Sequence, residues 1–597
     1  MKFRSNYPSS TILKFGLVIS FFLLAGLSNL TFPAANAQSI SPAGTNFLNL
    51  PQSINPDWKH LGITWRASVA SDGAEGNSYV GQDHALSSDG RYVVFASYAW
   101  NLAPGDEKYG YEDIFLHDNQ TGATERISVS SSGETANSDS FYGMDTSADG
   151  RYVVFCTKAS NLATGDTNGM WDVFVRDRQA STTTRVSVSS TGAQSNGNSW
   201  LPHISDDGHV VVYTSEASNL VTDDTNNKWD IFAYNMLSGQ TERISVSSAE
   251  LQADDDSGDN KTPALSSDGR YVAFSSEATN LVLDDTNTVC DMNEDGSFTE
   301  NCTDVFVRDR NSGTTERVSV NDNEEQGNNL SMLPAISGDG RYVAFYSWAS
   351  NLITNDTNTC LSLYYNSGPC PDVFVRDRQA GLTERASVSS SGGQSTVDPI
   401  NYFKPPAISG DGRYVAFESS DNTLAEGATN GYSQILIHDR TTHQTTLVSA
   451  STYGWQGDEW SHCPPDISAT GRYVSFISSS NDLVLYDAND VNDIFVRDRE
   501  GWTYALDGTV RDAADHPVAG ITVGYGNRHG ESKETDTNGE YQLYYMPAGV
   551  YSIKAWKPGY IPDPIERLIT VPPTTLGVDF VVRKATNVVY LPLVRSR

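Results

Sequence analysis

The chain is 597 residues long and carries 40 lysines and arginines against 74 aspartates and glutamates, a formal net charge of −34. That length exceeds one ordinary core and predicts several domains or a repeat array. The acidity excludes nucleic acid and anionic membrane surfaces as partners, while it suits solubility outside the cell and suits divalent cations.

Residues 1–37 read as a secretory signal peptide. Lys2, Arg4 and Lys14 form the positive region, Phe15 to Leu27 is an apolar run of 13 residues, and Ala35-Asn36-Ala37 gives the small-x-small pattern before a cut between Ala37 and Gln38. The alternative is an uncleaved anchor, for which the run is short. Cleavage takes the formal charge to −37 and leaves no other apolar run of membrane-spanning length. Residues 38–61 form an irregular lead-in with Pro42, Pro51 and Pro56.

From residue 62 one motif recurs. Ser337-Gly-Asp-Gly-Arg-Tyr-Val-Ala-Phe345 has near-copies led by Ser87, Ser147, Ser205, Ser266, Ser409 and Ser468, at spacings of 60, 58, 61, 71, 72 and 59 residues. Such a period marks a repeat architecture. In the unit around Ser337, Pro334–Ser337 is a short strand and Asp339-Gly340 a tight turn where glycine accepts positive φ. Arg341–Phe345 is a second strand, Asp372–Arg376 a third after a long polar loop, and Thr383–Val388 a fourth. The second strand is apolar on both faces, which a sheet with one wet face would not be. A blade packed between two other blades has this property, so the unit reads as one blade of a β-propeller.

The third strand also occurs seven times, beginning at Asp113, Asp172, Asp230, Asp304, Asp372, Gln434 and Asp493. The fourth-strand motif occurs seven times but is shifted: it stands before the first unit as Arg66-Ala-Ser-Val69 and is missing after Arg499. Residues 64–70 are therefore predicted to supply the outer strand of the last blade, which removes the open sheet edges at the ends of the ring. Beyond Arg499, short strands punctuated by Gly, Pro and Asn-Gly read as a small β-sandwich. The predicted fold class is all-β: a seven-bladed propeller of four-stranded blades over residues 62–500, closed by an N-terminal outer strand and followed by a sandwich over 505–583.

Ser-x-Asp-Gly-Arg-Tyr-Val-Ala-Phe followed by Asp-Val-Phe-Val-Arg-Asp-Arg resembles the TolB-type, WD-repeat-like β-propeller family of exported bacterial proteins. His209 in the Arg place and Thr470 in the Asp place depart from the pattern. The resemblance implies fold more than function, because propellers host binding modules, hydrolases and lyases alike. Residues 505–583 resemble the carboxypeptidase regulatory-like domain, a transthyretin-like sandwich grouped with carbohydrate-binding-like folds. That implies an adhesion or sugar-binding accessory role and brings no catalytic residues. Residues 584–597 form a short apolar tail, too short to cross a membrane.

Function is expected on the face that carries the long loops, since binding residues concentrate on loops held by a rigid scaffold. The Arg of Asp-Gly-Arg, present in nearly every unit, reads as a structural partner of an Asp. Units four and five carry insertions of about eleven residues that place Cys290 with Cys302 and Cys360 with Cys370. In an oxidising compartment these predict two local disulfides, with Cys156 and Cys463 unpaired. Asp291, Asn293 and Asp295, with Gly296 sixth in the loop and Glu300 as a closing carboxylate, resemble the start of a calcium loop, although position twelve is Cys302. The alternative is a solvated acidic loop. Shorter Asp-x-Asn loops at Asp166, Asp224, Asp285, Asp356 and Asp487 read first as Asx turns. Asp254, Asp255, Asp256 and Asp259 add to one acidic sector.

His84, Asp145 and His203 lie near first strands and are candidates to line the central channel. No Gly-x-Ser-x-Gly elbow, His-Glu-x-x-His, Cys-x-x-Cys or phosphate loop is present. The expected function is an exported, non-enzymatic, monomeric binding or scaffold protein, secreted or in a bacterial envelope or periplasm, that takes a glycan, peptide or envelope protein. The alternatives are a glycan-directed hydrolase or lyase at the channel mouth and an assembly partner of the TolB sort.

Overall fold

The computed structural model describes residues 62–105, 110–258, 262–287, 290–291, 298–299, 302–360, 368–397, 404–484, 487–501, 504–524, 532–546, 549–564, 566–571 and 578–584. The expected signal peptide, lead-in and most of the tail lie outside them. The described elements are strands, and no helix among them is long and apolar enough to cross a membrane.

Seven four-stranded antiparallel sheets follow one another from residue 63 to 498. Blade five shows the plan: Ser331–Ile336, Tyr342–Ser347, Asp372–Asp377 and Leu382–Arg385 pair in order. The innermost strands of successive blades touch, and that of blade seven, Ser461–Ile467, touches that of blade one, Val80–Leu86, so the ring closes. The last sheet is completed by Ile63–Arg66, which pairs with Asp493–Asp498 in the register Ile63↔Asp498 to Arg66↔Phe495. The closing strand therefore lies where the displaced motif places it, one residue earlier and shorter.

The fourth strand is shorter than its sequence suggests. In blade five it ends at Arg385, and Ala-Ser-Val turns away: Ser387 Oγ donates to Asp372 Oδ1 (2.6 Å) and Val388 bridges Gln394. This hook reaches the next blade. Thr383 of blade five donates its Oγ1 to Val320 O (2.6 Å) and its N–H to Asp322 Oδ1 (2.8 Å) in the hook of blade four. The same joint closes the ring, where Thr64 N donates to Thr452 Oγ1 (3.0 Å).

Each residue of the repeated motif has a task. Ser337, fully buried, donates to Asp339 Oδ1 (2.7 Å) and accepts from Tyr342 N (2.9 Å). Arg341 forks onto Asp377 at 2.9 and 2.6 Å, and equivalent forks occur in five other blades. Blade three lacks the fork because both partners have changed: His209 replaces the Arg and turns to Asp207 (3.0 Å), and Asn235 replaces the Asp. Gly340 adopts φ 73°, and a Cβ there would sit 2.2 Å from the Tyr271 ring of blade four. The motif's glycine thus serves the joint as well as the turn. Arg378 covers that Tyr271 ring at 4.6 Å and reaches Glu316 of blade four at 2.6 Å. Seven apolar clusters, each shared by two adjacent blades, fill the spaces between sheets. This is why the middle strands are apolar on both faces.

The C-terminal unit has two four-stranded sheets. Tyr504–Asp512 lies between Glu540–Met546 and Phe580–Lys584, and Thr522–Gly524 pairs with Gly549–Trp556. Leu506, Val510, Ile521, Leu543, Ile553 and Phe580 are among the residues of its core.

Candidate functional site

The first strands of the blades line a central cavity of ≈ 690 Å³, within the range of roughly 300–1,000 Å³ found for small-molecule sites. One end is laced shut. The residue after each anchoring serine is small or Asp, and neighbours bond across blades: Ala469 N to Ser88 O (2.8 Å), Ala148 N to Asp206 O, Asp206 N to Ser267 O, Ser267 N to Gly338 O and Gly338 N to Gly410 O (each 3.0 Å). Ser88 Oγ also donates to Asp206 Oδ1, from blade one to blade three. A Cβ on Gly338 would lie 2.7 Å from Ser267 Oγ, so the ring has no spare room. Six of these seven residues form the floor of the cavity, at the tight-turn end.

The walls are not sevenfold. Two residues before the anchoring serines stand Ala85, Asp145, His203, Ala264, Ala335, Ala407 and Asp466. Four blades present a methyl group and three present a polar side chain. Blades four to six add Pro263, Pro334, Pro405 and Pro406, an apolar wall. On the polar side, His203 Nδ1 pairs with Asp145 Oδ2 (3.2 Å), and Asp145 is fixed by the N–H groups of Ile204 (3.0 Å) and Thr146 (2.7 Å). Asp466 accepts from Leu86 N (2.7 Å). Lys404 lies 3.6 Å from Asp83.

Burial pushes the Asp466 carboxyl up to about 7; the Leu86 N–H opposes the rise and the Asp145 charge adds to it. Burial works against a charged His203, but the hydrogen bond and charge of Asp145, with Asp466 and Asp83, hold it above the ordinary imidazole value. Glu112 is buried at the same cavity; burial, opposed by Tyr98 and reinforced by Asp83 and Asp139, pushes it up to about 8.

Aromatic rings gather where the cavity meets the long loops of blades one to three. Tyr79 and Tyr98 stand 4.9 Å apart. Tyr142 contacts Trp171 (5.0 Å) and Trp200 (5.4 Å), and Trp200 stacks on Trp229 at 4.9 Å with planes 5° apart. The indole nitrogen of Trp200 is buried without a hydrogen-bond partner. Trp171 and Trp229 occupy the place before the third-strand Asp, where the other blades carry Glu112, Thr303, Pro371, Ser433 and Asn492.

Of the residues singled out by sequence, His84, Asp145 and His203 all border this cavity. The structure pairs Asp145 with His203 and sets His84 apart. His84 Nε2 contacts Ser475 Oγ of blade seven (3.0 Å), and burial lowers its pKa to about 4. Asp466, Glu112, Lys404 and the aromatic group were not anticipated. Comparison of the seven first strands position by position carries the signal for Asp466.

Cys360 and Cys370 form a disulfide. Cys302 is disulfide-bonded, and the side chain of Cys290 lies outside the described residues. Cys156 is free and buried, whereas the side chain of Cys463 is not among those described. The calcium-loop candidates Asn293, Asp295 and Glu300, and the side chain of Asp291, lie outside the described residues, as does Asp259. The shorter acidic loops are turned inward. Asp166, Asp224, Asp285, Asp356 and Asp487 face Arg185, Arg243, Arg317, Arg385 and Arg66 at 3.0 to 3.5 Å. Asp255, Asp256 and Glu277 stand close enough to share a cation, but Lys228 already pairs with both aspartates.

The C-terminal unit has its own open hollow of ≈ 820 Å³, bordered by Asp507, Arg511, Asp536, Glu540 and Asp579. Tyr541 is the one ring along it, and its hydroxyl is engaged by Val578 O (2.5 Å).

Residues 505–583 match the family model of the carboxypeptidase regulatory-like domain. No curated protein sequence matches the chain. Among solved structures, an oligogalacturonate lyase from Vibrio parahaemolyticus is 12% identical, with a TM-score of 0.41 over 73% of this chain and 93% of that one. The β-propeller domain of the Trilobed protease from Pyrococcus furiosus is 12% identical, with a TM-score of 0.40 over 70% and 95%. TolB from Acinetobacter baumannii is 13% identical, with a TM-score of 0.30 over 73% and 79%. At these identities none of them assigns an activity to this chain.

Proposed function

We propose that this chain is an exported binding protein whose propeller holds a glycan at the long-loop end of its central cavity, with the C-terminal sandwich as a second contact module. One observation carries the reading: Trp200, with an unpaired indole N–H and stacked on Trp229, stands with Tyr142 at the mouth of a cavity that presents few polar groups. A sugar ring offers an apolar C–H face that packs flat on such rings and a rim of hydroxyls that accept and donate hydrogen bonds, and aromatic groups supply the larger part of such contact energy. The Cys360–Cys370 disulfide supports export, since such bonds persist in oxidising compartments.

The test is a glycan array followed by titration calorimetry on Trp200→Ala. Binding by the parent protein and a loss of about tenfold or more in the variant, near 1.4 kcal/mol, is expected. Absence of any glycan ligand for a folded parent protein sinks the reading.

A glycan-directed hydrolase or lyase at the same mouth is favoured by a single feature, the Asp145–His203 pair beside Asp466, which has the form of an oriented acid–base group. Turnover of a polysaccharide that His203→Gln abolishes would establish it in place of simple binding.

A further inference from the structure

We propose that the cavity is a blind, end-on site that receives the terminal, uncharged sugar of a glycan chain and does not bind internal segments. This deepens the glycan reading above and rests on it.

The geometry has three parts. The floor is a ring of mutually bonded residues with Gly338 and Gly410 where side chains would collide, so a polymer cannot thread through. A chain that enters past the aromatic mouth must stop, and only its end reaches the depth of Asp145, His203 and Asp466. The walls at that depth are two-sided, with the methyl groups and prolines of blades four to six opposite the polar groups of blades seven, two and three. A pyranose has the same two-sidedness.

The polar wall has unspent capacity. His203 uses Nδ1 on Asp145, and its Nε2 has no protein partner among the described residues. Its raised pKa keeps that nitrogen a donor. Asp466 sits on a different blade, and its elevated pKa makes it a donor as well near neutrality. Two donors from different sides fit the oxygens of neighbouring hydroxyls. Charge selects the class of sugar. The Asp145–His203 and Asp83–Lys404 pairs each balance internally, so the cavity offers no surplus cation to a uronate or sulfated unit.

The experiment uses the full chain after its signal segment. Neutral gluco-, manno-, galacto- and xylo-oligosaccharides of increasing length, their parent polymers and oligogalacturonate are titrated by calorimetry. The end-on site predicts one protein bound per chain at every length, oligogalacturonate weaker than the preferred neutral series by about tenfold or more, and a comparable loss in both Ala335→Phe, which fills the apolar wall, and His203→Gln. Thermal melting establishes that each variant is folded, and His203→Gln alone decides if Ala335→Phe fails to fold. Protein bound in proportion to chain length, or neutral binding untouched by His203→Gln, overturns the end-on site and leaves the glycan reading in place. No binding to any carbohydrate overturns both.

Discussion

The tight-turn end of each blade and the inner strand beside it are neighbours in the chain but follow opposite rules. At the turn, blades agree almost atom for atom: a buried serine, an aspartate, a left-handed glycine and an arginine fork. When blade three departs, both partners of the fork depart together. Two residues before the serine the blades disagree, with alanine in four and Asp, His and Asp in three. Uniformity marks positions whose partner is the next blade, which must look the same at every joint. Variation marks positions whose partner is the space in the middle, which belongs to all blades at once and need not be symmetric.

This contrast can be broken by mutation. The largest effect is expected from a chain that begins at residue 71, which lacks the closing strand and its Thr64, Arg66 and Ser68 contacts to blades six and seven. Such a chain should lose its cooperative melt and aggregate through the exposed edge of Asp493–Asp498, as read by calorimetry and light scattering. Gly340→Ala comes next, with an expected loss of about 2–4 kcal/mol by chemical denaturation, because it combines left-handed backbone with a collision against Tyr271. Gly392→Ala is the comparison. Its φ is 81° but its Cβ would meet open space, so about 1 kcal/mol is expected. Equal losses would show that backbone strain alone matters and that the joint does not.

The cavity should respond differently. Asp466 has a folded pKa near 7 against about 3.9 when unfolded. A raised carboxyl gives stability that is present in full below the unfolded value and is lost as pH rises through the folded one. Asp466→Asn keeps an acceptor for Leu86 N–H and cannot ionise. Its melting temperature should match the parent near pH 4, exceed it increasingly up to pH 7, and hold a constant lead above that. A variant that is less stable than the parent at pH 8 would place Asp466 with the framework. The smallest effect on stability is expected from Trp200→Ala, about 1–2 °C in melting temperature, since its ring borders the cavity and not a joint. A loss as large as that of Gly340→Ala would dissolve the distinction.

These two regions were also unequally legible in the sequence. The joint was readable because seven copies state the same requirement, and a displaced copy at Arg66 even revealed the closure. The fourth strand was overread, since Ala-Ser-Val has the composition of a strand and only the buried Asp372 and the neighbouring blade explain why it turns. Asp145 and His203 were noticed as isolated polar residues, but Asp466 was not, because it comes 263 residues after His203 in the chain. Tyr142, Trp171, Trp200 and Trp229 looked like four ordinary aromatics. They become one surface only when blades two and three stand side by side, which no local pattern expresses.

The closing strand has a consequence in time. Ile63–Arg66 is the first segment of the propeller to leave the ribosome, and its partner Asp493–Asp498 is the last. The six joints that follow can form one after another as each unit is made, but the seventh must wait for more than 400 residues of synthesis. Until then the chain holds an unpaired strand at its front and an uncovered blade at its growing end. The molecule is therefore most vulnerable to aggregation and proteolysis in the interval just before completion. Any factor that accompanies its folding is expected to cover those two edges and to be released when they meet.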